Sequence, residues 1–318
     1  MRGARLARLG SVVEGCRRWF SEPEPPLAAI EVRLRSLGVV RAVRERGRRR
    51  LEAAACLELP EGALSLSMSQ PNLAQPEAFR AALRSLIEKA GLAGGGLVGL
   101  VLPDAVARVA LLPAADVKAR GRAEMEELLR FRLRKAVPFD TREAEVACLP
   151  PQAPGGMLLA AAVARPVLAG YEEACRELGC HPGVVELAGL SLLAAQAQAA
   201  GDRLLVNWDD GYVTLILTRD GWPLLVRTLP GDAASADDVS REVANTALYH
   251  RERLGGTGIE SALVRSAALP LQEALAVVGG ALGIEARPLE PPRGLAEEAG
   301  VPAHAVAGAA ACVLGEAA

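Results

Sequence analysis

Apolar and polar positions divide the chain into a strand-rich opening, a mixed middle and a strand-rich second half. The densest apolar stretch is residues 204–231, where β-rich runs flank Asp209-Asp210-Gly211 and then Asp220-Gly221. Two Asp-Gly turns between such runs predict a three-stranded meander, too apolar to stand outside a larger sheet. Upstream, residues 28–34, 39–44 and 51–57 read as three strands, followed by a Leu59-Pro60-Glu61-Gly62 turn. Phe79, Leu83, Leu86 and Ile87 share one face of a helix over 79–90. Residues 97–180 then read as strand (97–102), strand (106–112), helix (123–137), strand (143–149), strand (157–163) and helix (166–178). That ββαββα order predicts a small sheet with two helices on one face. In its first helix Leu128, Leu129, Leu133, Ala136 and Val137 form the buried stripe, and Pro138-Phe139 ends it.

A helix of small apolar residues runs through Ala200, and past the meander a helix is expected over 237–254. Strand 262–265, helix 271–278, strand 284–289 and a small apolar helix over 303–314 complete the chain. At the other end, Leu6, Leu9, Val12, Val13, Cys16, Trp19 and Phe20 recur at three- and four-residue spacing, with Arg2, Arg5, Arg8, Arg17 and Arg18 off that stripe. Residues 1–20 therefore predict a basic amphipathic helix, and the Pro-rich residues 21–26 a short stiff linker. The basic residues Arg5 and Arg17 beside Leu9, Trp19 and Phe20 suit an anionic membrane interface; a partner helix or the chain's own body is the other reading.

Composition adds an asymmetry. The first 50 residues hold thirteen Arg against five Glu, a balance of +8, so a total of -2 leaves the remainder at -10. With aromatic residues at only 3% there is no stacking platform beside those arginines, so a nucleic-acid partner is not expected. At 318 residues, half of them hydrophobic, the chain is long enough for about two domains. The six cysteines are scattered without CxxC or metal spacing and read as reduced, mostly buried thiols of a cytoplasmic protein. No apolar window approaches the roughly 18 residues of a membrane span, and Glu14 with several arginines interrupts any signal-like core.

Familiar catalytic signatures are missing: GxSxG, HExxH and GxxxxGK[ST] do not occur. Gly94–Gly99 spells GxGxxG but precedes a strand, so the dinucleotide reading lacks its strand-to-helix context. His181, His250 and His304 lie far apart in sequence and read as surface or cap residues, so no metal site is expected. Asp209 and Asp210 read as a solvated hairpin tip in preference to a Mg²⁺ or general-base pair, because aspartates favour such turns for local hydrogen bonding.

A hydrophobic strand, an acidic-Gly turn, a Thr and a second strand form the phosphate-holding hairpin of actin-like ATPases. Residues 204–231 resemble the version found in the PilM proteins of type IV pili, with Thr214, Arg227 and Gly231 in place. Glu126, Phe131, Pro138, Phe139 and Glu143 resemble that family's charged helix ending in Pro-Phe, and Gly183, Val184, Val185 and Glu186 its lead into an alanine-rich helix. The resemblance covers residues 27–314 and implies an α/β, two-lobed actin-like (ribonuclease H-like) fold with an inserted small α+β subdomain. Lobe one would be 27–96 and 183–200 with a returning helix at 300–318, the inserted ββαββα unit 97–182, and lobe two 202–297.

The departures from the family pattern fall on all three nucleotide loops. Glu31 and Arg33 stand in the first, where Arg33 replaces a Gly whose bare backbone would approach phosphate. In the second the family Asp falls on Asn207 and the turn Gly on Asp209, while in the third the Gly-Gly pair falls on Ser266 and Ala267, behind Arg265. The resemblance so altered implies a non-catalytic scaffold or adaptor without ATP or Mg²⁺, cytoplasmic and peripheral at the inner membrane. Its machine would be a type IV pilus or a related type II secretion platform. Implied partners are the N-terminal tail of a PilN-like membrane protein, met by Glu126, Phe131, Pro138 and Phe139, and other platform proteins. The alternative is a divergent actin-like ATPase or small-molecule kinase.

Overall fold

The computed structural model describes residues 26–117, 121–151, 156–196, 200–231, 235–290 and 301–315. The expected basic helix over 1–20, with Arg5, Leu9, Arg17, Trp19 and Phe20, and most of the 21–26 linker lie outside them.

Strands β1 (Ala28–Val32), β2 (Ser36–Glu45), β3 (Arg48–Glu58), β4 (Gly96–Leu102) and β8 (Cys180–Leu187) form a first sheet in the order β3-β2-β1-β4-β8. The β3-β2-β1 part is antiparallel and β1-β4-β8 parallel. Strands β9 (Asp202–Asp209), β10 (Tyr212–Arg219), β11 (Trp222–Pro230), β12 (Ser261–Ser266) and β13 (Ala286–Pro288) repeat that plan in the order β11-β10-β9-β12-β13. Again a three-stranded antiparallel meander is extended by two parallel strands. The apolar runs of β1 and β9–β10 follow from this placement, since central strands covered on both faces need no polar alternation.

Helices α1 (Pro76–Lys89) and α3 (Arg165–Arg176) cover one face of the first sheet, where Phe79 and Tyr171 meet edge to face at 6.2 Å. Two rings fully removed from water contribute on the order of 2–3 kcal/mol each. On the opposite face lies α7 (Ala307–Leu314), whose Ala309, Ala310 and Val313 pack on Ala29, Val40 and Val101. Helices α5 (Ala236–Arg253) and α6 (Leu271–Leu282) cover the second sheet through Val239, Val243, Ala274 and Val278. Between the two sheets, α4 (Ala188–Ala194) places Leu192 against Leu205 and Ile216.

A third, three-stranded sheet has the order β5-β7-β6, from β5 (Ala107–Pro113), β6 (Ala144–Leu149) and β7 (Met157–Ala164), with α2 (Arg122–Leu133) on one face. This narrows the expected insertion. β4 pairs with β1, and its Val98, Leu100 and Leu102 join the core under α1 while Val101 joins that under α7. α3 likewise packs on the lobe-one core through Val167 and Tyr171. The inserted unit therefore spans about 104–164 instead of 97–182, because β4 is apolar on both faces, as a central strand of a larger sheet must be. α2 stops at Leu133, four residues short of the expected end, since Pro138 disfavours helical backbone just before it. Gly279 and Gly280 lie within α6, not in the turn after it, and Gly283 at φ 68° ends that helix.

Gly38 lets α7's lead-in rest on the first sheet: a Cβ there would sit 2.4 Å from the Ala305 carbonyl oxygen. Gly38→Ala should therefore destabilise by about 1–3 kcal/mol through overpacking, read as a shift in the urea midpoint at unchanged slope.

Candidate functional site

The carboxyl ends of β1, β4, β9 and β12 converge where the two sheets face each other, the position at which open α/β sheets place their ligands. In this chain the junction is filled by side chains. Arg33, just after β1, donates from Nε to both Asp209 carboxylate oxygens at 3.1 and 3.0 Å and from Nη2 to Oδ1 at 3.0 Å. Arg265 on β12 donates from Nη1 to Asn207 Oδ1 at 2.7 Å and Asp209 Oδ2 at 3.0 Å, and from Nη2 to Glu31 Oε1 at 2.7 Å. Its Nε and Nη2 also reach the His304 carbonyl at 2.8 and 2.6 Å. Glu31 receives the Ala309 amide at 2.9 Å on its other oxygen, in the first turn of α7. Gly308 makes room for it, since a Cβ there would lie 3.1 Å from the carboxyl group.

A second carboxylate, Asp104, extends the network. It follows β4 and accepts from the Gly189 amide of α4 at 2.8 Å and from Asn207 Nδ2 at 2.9 Å. Glu31, Arg33, Asp104, Asn207, Asp209 and Arg265 are all at most 4% exposed. Burying such ions costs several kcal/mol apiece unless each is paired and hydrogen-bonded. Here the two guanidiniums balance Glu31 and Asp209, and Asp104 is held by neutral donors.

Burial drives the Glu31 carboxyl above its usual range, against the pull of Arg265 and then Arg33. It drives Asp104 the same way, opposed by the Gly189 and Asn207 hydrogen bonds. Burial would raise Asp209 too, but Arg265 and Arg33 together outweigh it and hold Asp209 below the ordinary carboxylate range. For Arg33, burial disfavours the cation, yet Asp209 more than compensates and its proton is held more tightly than in water.

Of the residues singled out from the sequence, the structure thus brings Glu31, Arg33, Asn207, Asp209 and Arg265 into one cluster. Thr214 is buried beside it on β10, its hydroxyl 2.9 Å from that of Thr228. Ser266 and Ala267 follow Arg265 but do not enter the network: the Ser266 hydroxyl donates to the Leu269 carbonyl at 2.8 Å, and the Ala267 amide to the Trp208 carbonyl at 2.9 Å. Arg227 lies apart, paired at 2.5 Å with Glu242 on α5.

The solvated-tip reading of Asp209 is corrected, because only Asp210 stays partly exposed at the turn while Asp209 is 1% exposed. Spacing could not show this, since the arginines that draw it inward come from β12 and from a loop 176 residues away. Asp104 lies between the strands predicted at 97–102 and 106–112, and no motif in the sequence points to it as a site residue.

His250 is likewise no surface residue. It is fully buried, with Nε2 2.6 Å from Asp202, whose carboxylate also binds Arg219 at 2.7 and 2.8 Å. Its packing at the end of α5 needs Gly256, where a Cβ would collide with the imidazole.

On the insertion, Phe131 is 56% exposed with the Arg134 guanidinium 4.4 Å above its ring, and Pro138 is exposed. Glu126 is committed to Arg122 and Arg130 at 2.9 and 3.3 Å. Phe139 is partly buried and packs against both the insertion core and the lobe-one core, so it joins the two units instead of facing outward.

As to chemistry, a nucleotide phosphate at this junction would need bare amides and a free carboxylate for Mg²⁺. The residues present do not fit that group: both acids facing the arginines are saturated by them. Among the described residues there is no cluster of three or more His, Cys, Asp or Glu that could hold a metal ion. None of their helices is long and apolar enough to cross a membrane.

No protein-family model matches the sequence, and no curated protein matches it. Solved structures do resemble it. One chain of the PilM-PilN type IV pilus biogenesis complex superposes with a TM-score of 0.72 at 21% identity, covering 92% of this chain and 97% of that one. A Bacteroides thetaiotaomicron protein with an actin-like ATPase fold and unknown function gives 0.52 at 9% identity, with 81% and 89% covered. The cytoplasmic domain of EpsL, an inner-membrane component of the Vibrio cholerae type II secretion system, gives 0.48 at 12%, with 76% and 82% covered.

The chain therefore has the two-lobed α/β fold of the actin-like ATPases. Over nearly the whole length of both chains, that fold is shared with one chain of the PilM-PilN complex.

Two outcomes follow from the network. Arg265→Met should cost about 3–5 kcal/mol by leaving the buried Glu31 carboxylate without its cation, and adding Glu31→Gln should recover part of that loss in a double-mutant cycle. Because the folded Asp209 carboxyl titrates below its unfolded value, its contribution is complete above that value and is lost as pH falls. The stability margin of the natural chain over Asp209→Asn should thus shrink as pH drops below 3.8, in urea titrations across the acid range.

Proposed function

We propose that this chain is a non-catalytic, actin-like adaptor of a type IV pilus or related secretion platform at the inner membrane, holding a neighbour's tail instead of turning over nucleotide. The observation that carries the reading is the ionic network. Arg33 takes a place where a nucleotide cradle requires glycine, Arg265 stands just ahead of another, and together they consume the carboxylates Glu31 and Asp209 that could have served a metal. The loss touches each of the three loops, so restoring one would not restore a site.

Likeness of fold to the PilM-PilN complex supports the choice of partner, an N-terminal tail of a PilN-like membrane protein. The insertion offers suitable chemistry. β6 is an edge strand, able to lend backbone groups to an extended peptide. Phe131 and Pro138 supply exposed apolar anchors beside it, with Leu149 43% exposed at the strand's end. Glu126 and Phe139 then act as positioning residues, the first through its arginine pairs and the second by fixing the insertion on lobe one.

Calorimetric titration of Mg·ATP into the full chain should give no saturable heat; micromolar affinity, or metal-dependent hydrolysis, would return the chain to the enzymes. An immobilised tail peptide should retain the protein, and Phe131→Ala should lower that retention roughly tenfold or more, as truncating an interface anchor does, without moving the melting temperature. Failure of the peptide to retain the natural chain would remove the adaptor reading.

A further inference from the structure

The hairpin of β2 and β3 runs past its sheet. β1 pairs with β2 only as far as Arg41, and past the Ala42 contact with Leu27 no third described strand joins the ladder. Buried contacts end at Ala42 and Leu51, and the ribbon outward of them is exposed or half-exposed on both faces. Between residues 41 and 52 it carries six arginines and two glutamates, a net +4 on a chain of net -2. Arg41 pairs with Glu52 and Arg50 with Glu45, each at 2.9 Å, and Arg49 donates to the Val313 carbonyl at the end of α7. Those contacts fix the root and flank of the arm. Arg46 and Arg48 at its tip are exposed.

Two features of the arm work against its own stability. The tip is a two-residue turn with Arg46 at φ 51° and Gly47 at φ 80°, where Asn-Gly would suit the left-handed backbone and a long side chain does not. Arg44 stands directly opposite Arg49 in the ladder, a cross-strand pairing of like charges that weakens a hairpin. Both choices keep cations on a projecting ribbon. Arginine in particular binds phosphate through two parallel N–H donors.

From these observations we propose that the β2–β3 arm is a docking surface for the anionic phospholipid headgroups of a membrane. The neighbouring chain supports lipid over nucleic acid. Pro26 and Leu27 enter at the root of the arm, where the Ala42 amide donates to the Leu27 carbonyl at 2.7 Å. The sequence just before them combines arginines with Leu6, Leu9, Val12, Val13, Trp19 and Phe20, the composition of a lipid interface. The arm itself has no aromatic residue on which a base could stack. The inference stands apart from the adaptor reading, since the arm lies at the β3 edge of the first sheet, whereas the insertion leaves after β4 and returns into α3.

The test is sedimentation of the full chain with vesicles of phosphatidylcholine alone or mixed with phosphatidylglycerol. The natural chain should be retained by the mixed vesicles only and released when salt is raised from about 0.1 M to about 0.5 M. Arg46→Asn with Arg48→Gln should lower partitioning about 25-fold, at about fivefold for each cation removed near an anionic surface. Arg46→Asn should at the same time raise the melting temperature, because Asn tolerates the left-handed turn, so weaker binding cannot be blamed on unfolding. Both variants should still be captured by the tail peptide. Equal vesicle binding by the double variant, retention by neither vesicle, or a preference for duplex DNA or RNA over the mixed vesicles would each overturn the proposal.

Discussion

The contact of Arg265 with Glu31 and Asp209 is the constraint on which the relation between the two sheets rests. One guanidinium reaches a carboxylate from the first sheet, a carboxylate and an amide from the second, and a carbonyl ahead of α7. The partners come from three separate segments of chain, so ordering any one segment depends on the others. Such a network is weak as a source of net stability, because desolvation consumes much of the Coulomb attraction. Its strength is in geometry: the planar, forked donor accepts only a narrow range of positions for the oxygens around it.

Both lobes use one plan, a meander extended by two parallel strands, and the plan delivers the ends of β1 and β9 to the same place. Side chains at those ends are automatically neighbours, whatever their chemistry. In this chain they are two arginines and two acids, which meet across the junction.

Much of the fold was legible in the sequence because its signals are local. The Asp-Gly turns marked β9 to β11, and the 3.6-residue stripe of Phe79, Leu83, Leu86 and Ile87 marked α1. Boundaries failed where the deciding contact is distant. β4 was drawn into the insertion because sequence neighbours suggested a compact unit, whereas its partners β1 and β8 lie far to either side. β2 and β3 proved longer than expected because arginines on the arm interrupt the apolar alternation that defines a half-buried strand. The site was legible only as a set of departures from the family pattern it resembles. Glu31, Arg33, Asn207, Asp209 and Arg265 each departed from it singly, and nothing along the chain indicated that they answer one another. Asp104 and His250 carried no signal at all, since their burial is created by segments 85 and 48 residues away.

The mutual saturation of the junction has an evolutionary corollary. Losing the guanidinium at position 33 would strip Asp209 of three hydrogen bonds, and losing that at position 265 would leave Glu31 buried without its cation. Each single replacement in the junction therefore passes through a less stable protein. The set acts as a ratchet, because its members can be exchanged without loss only together.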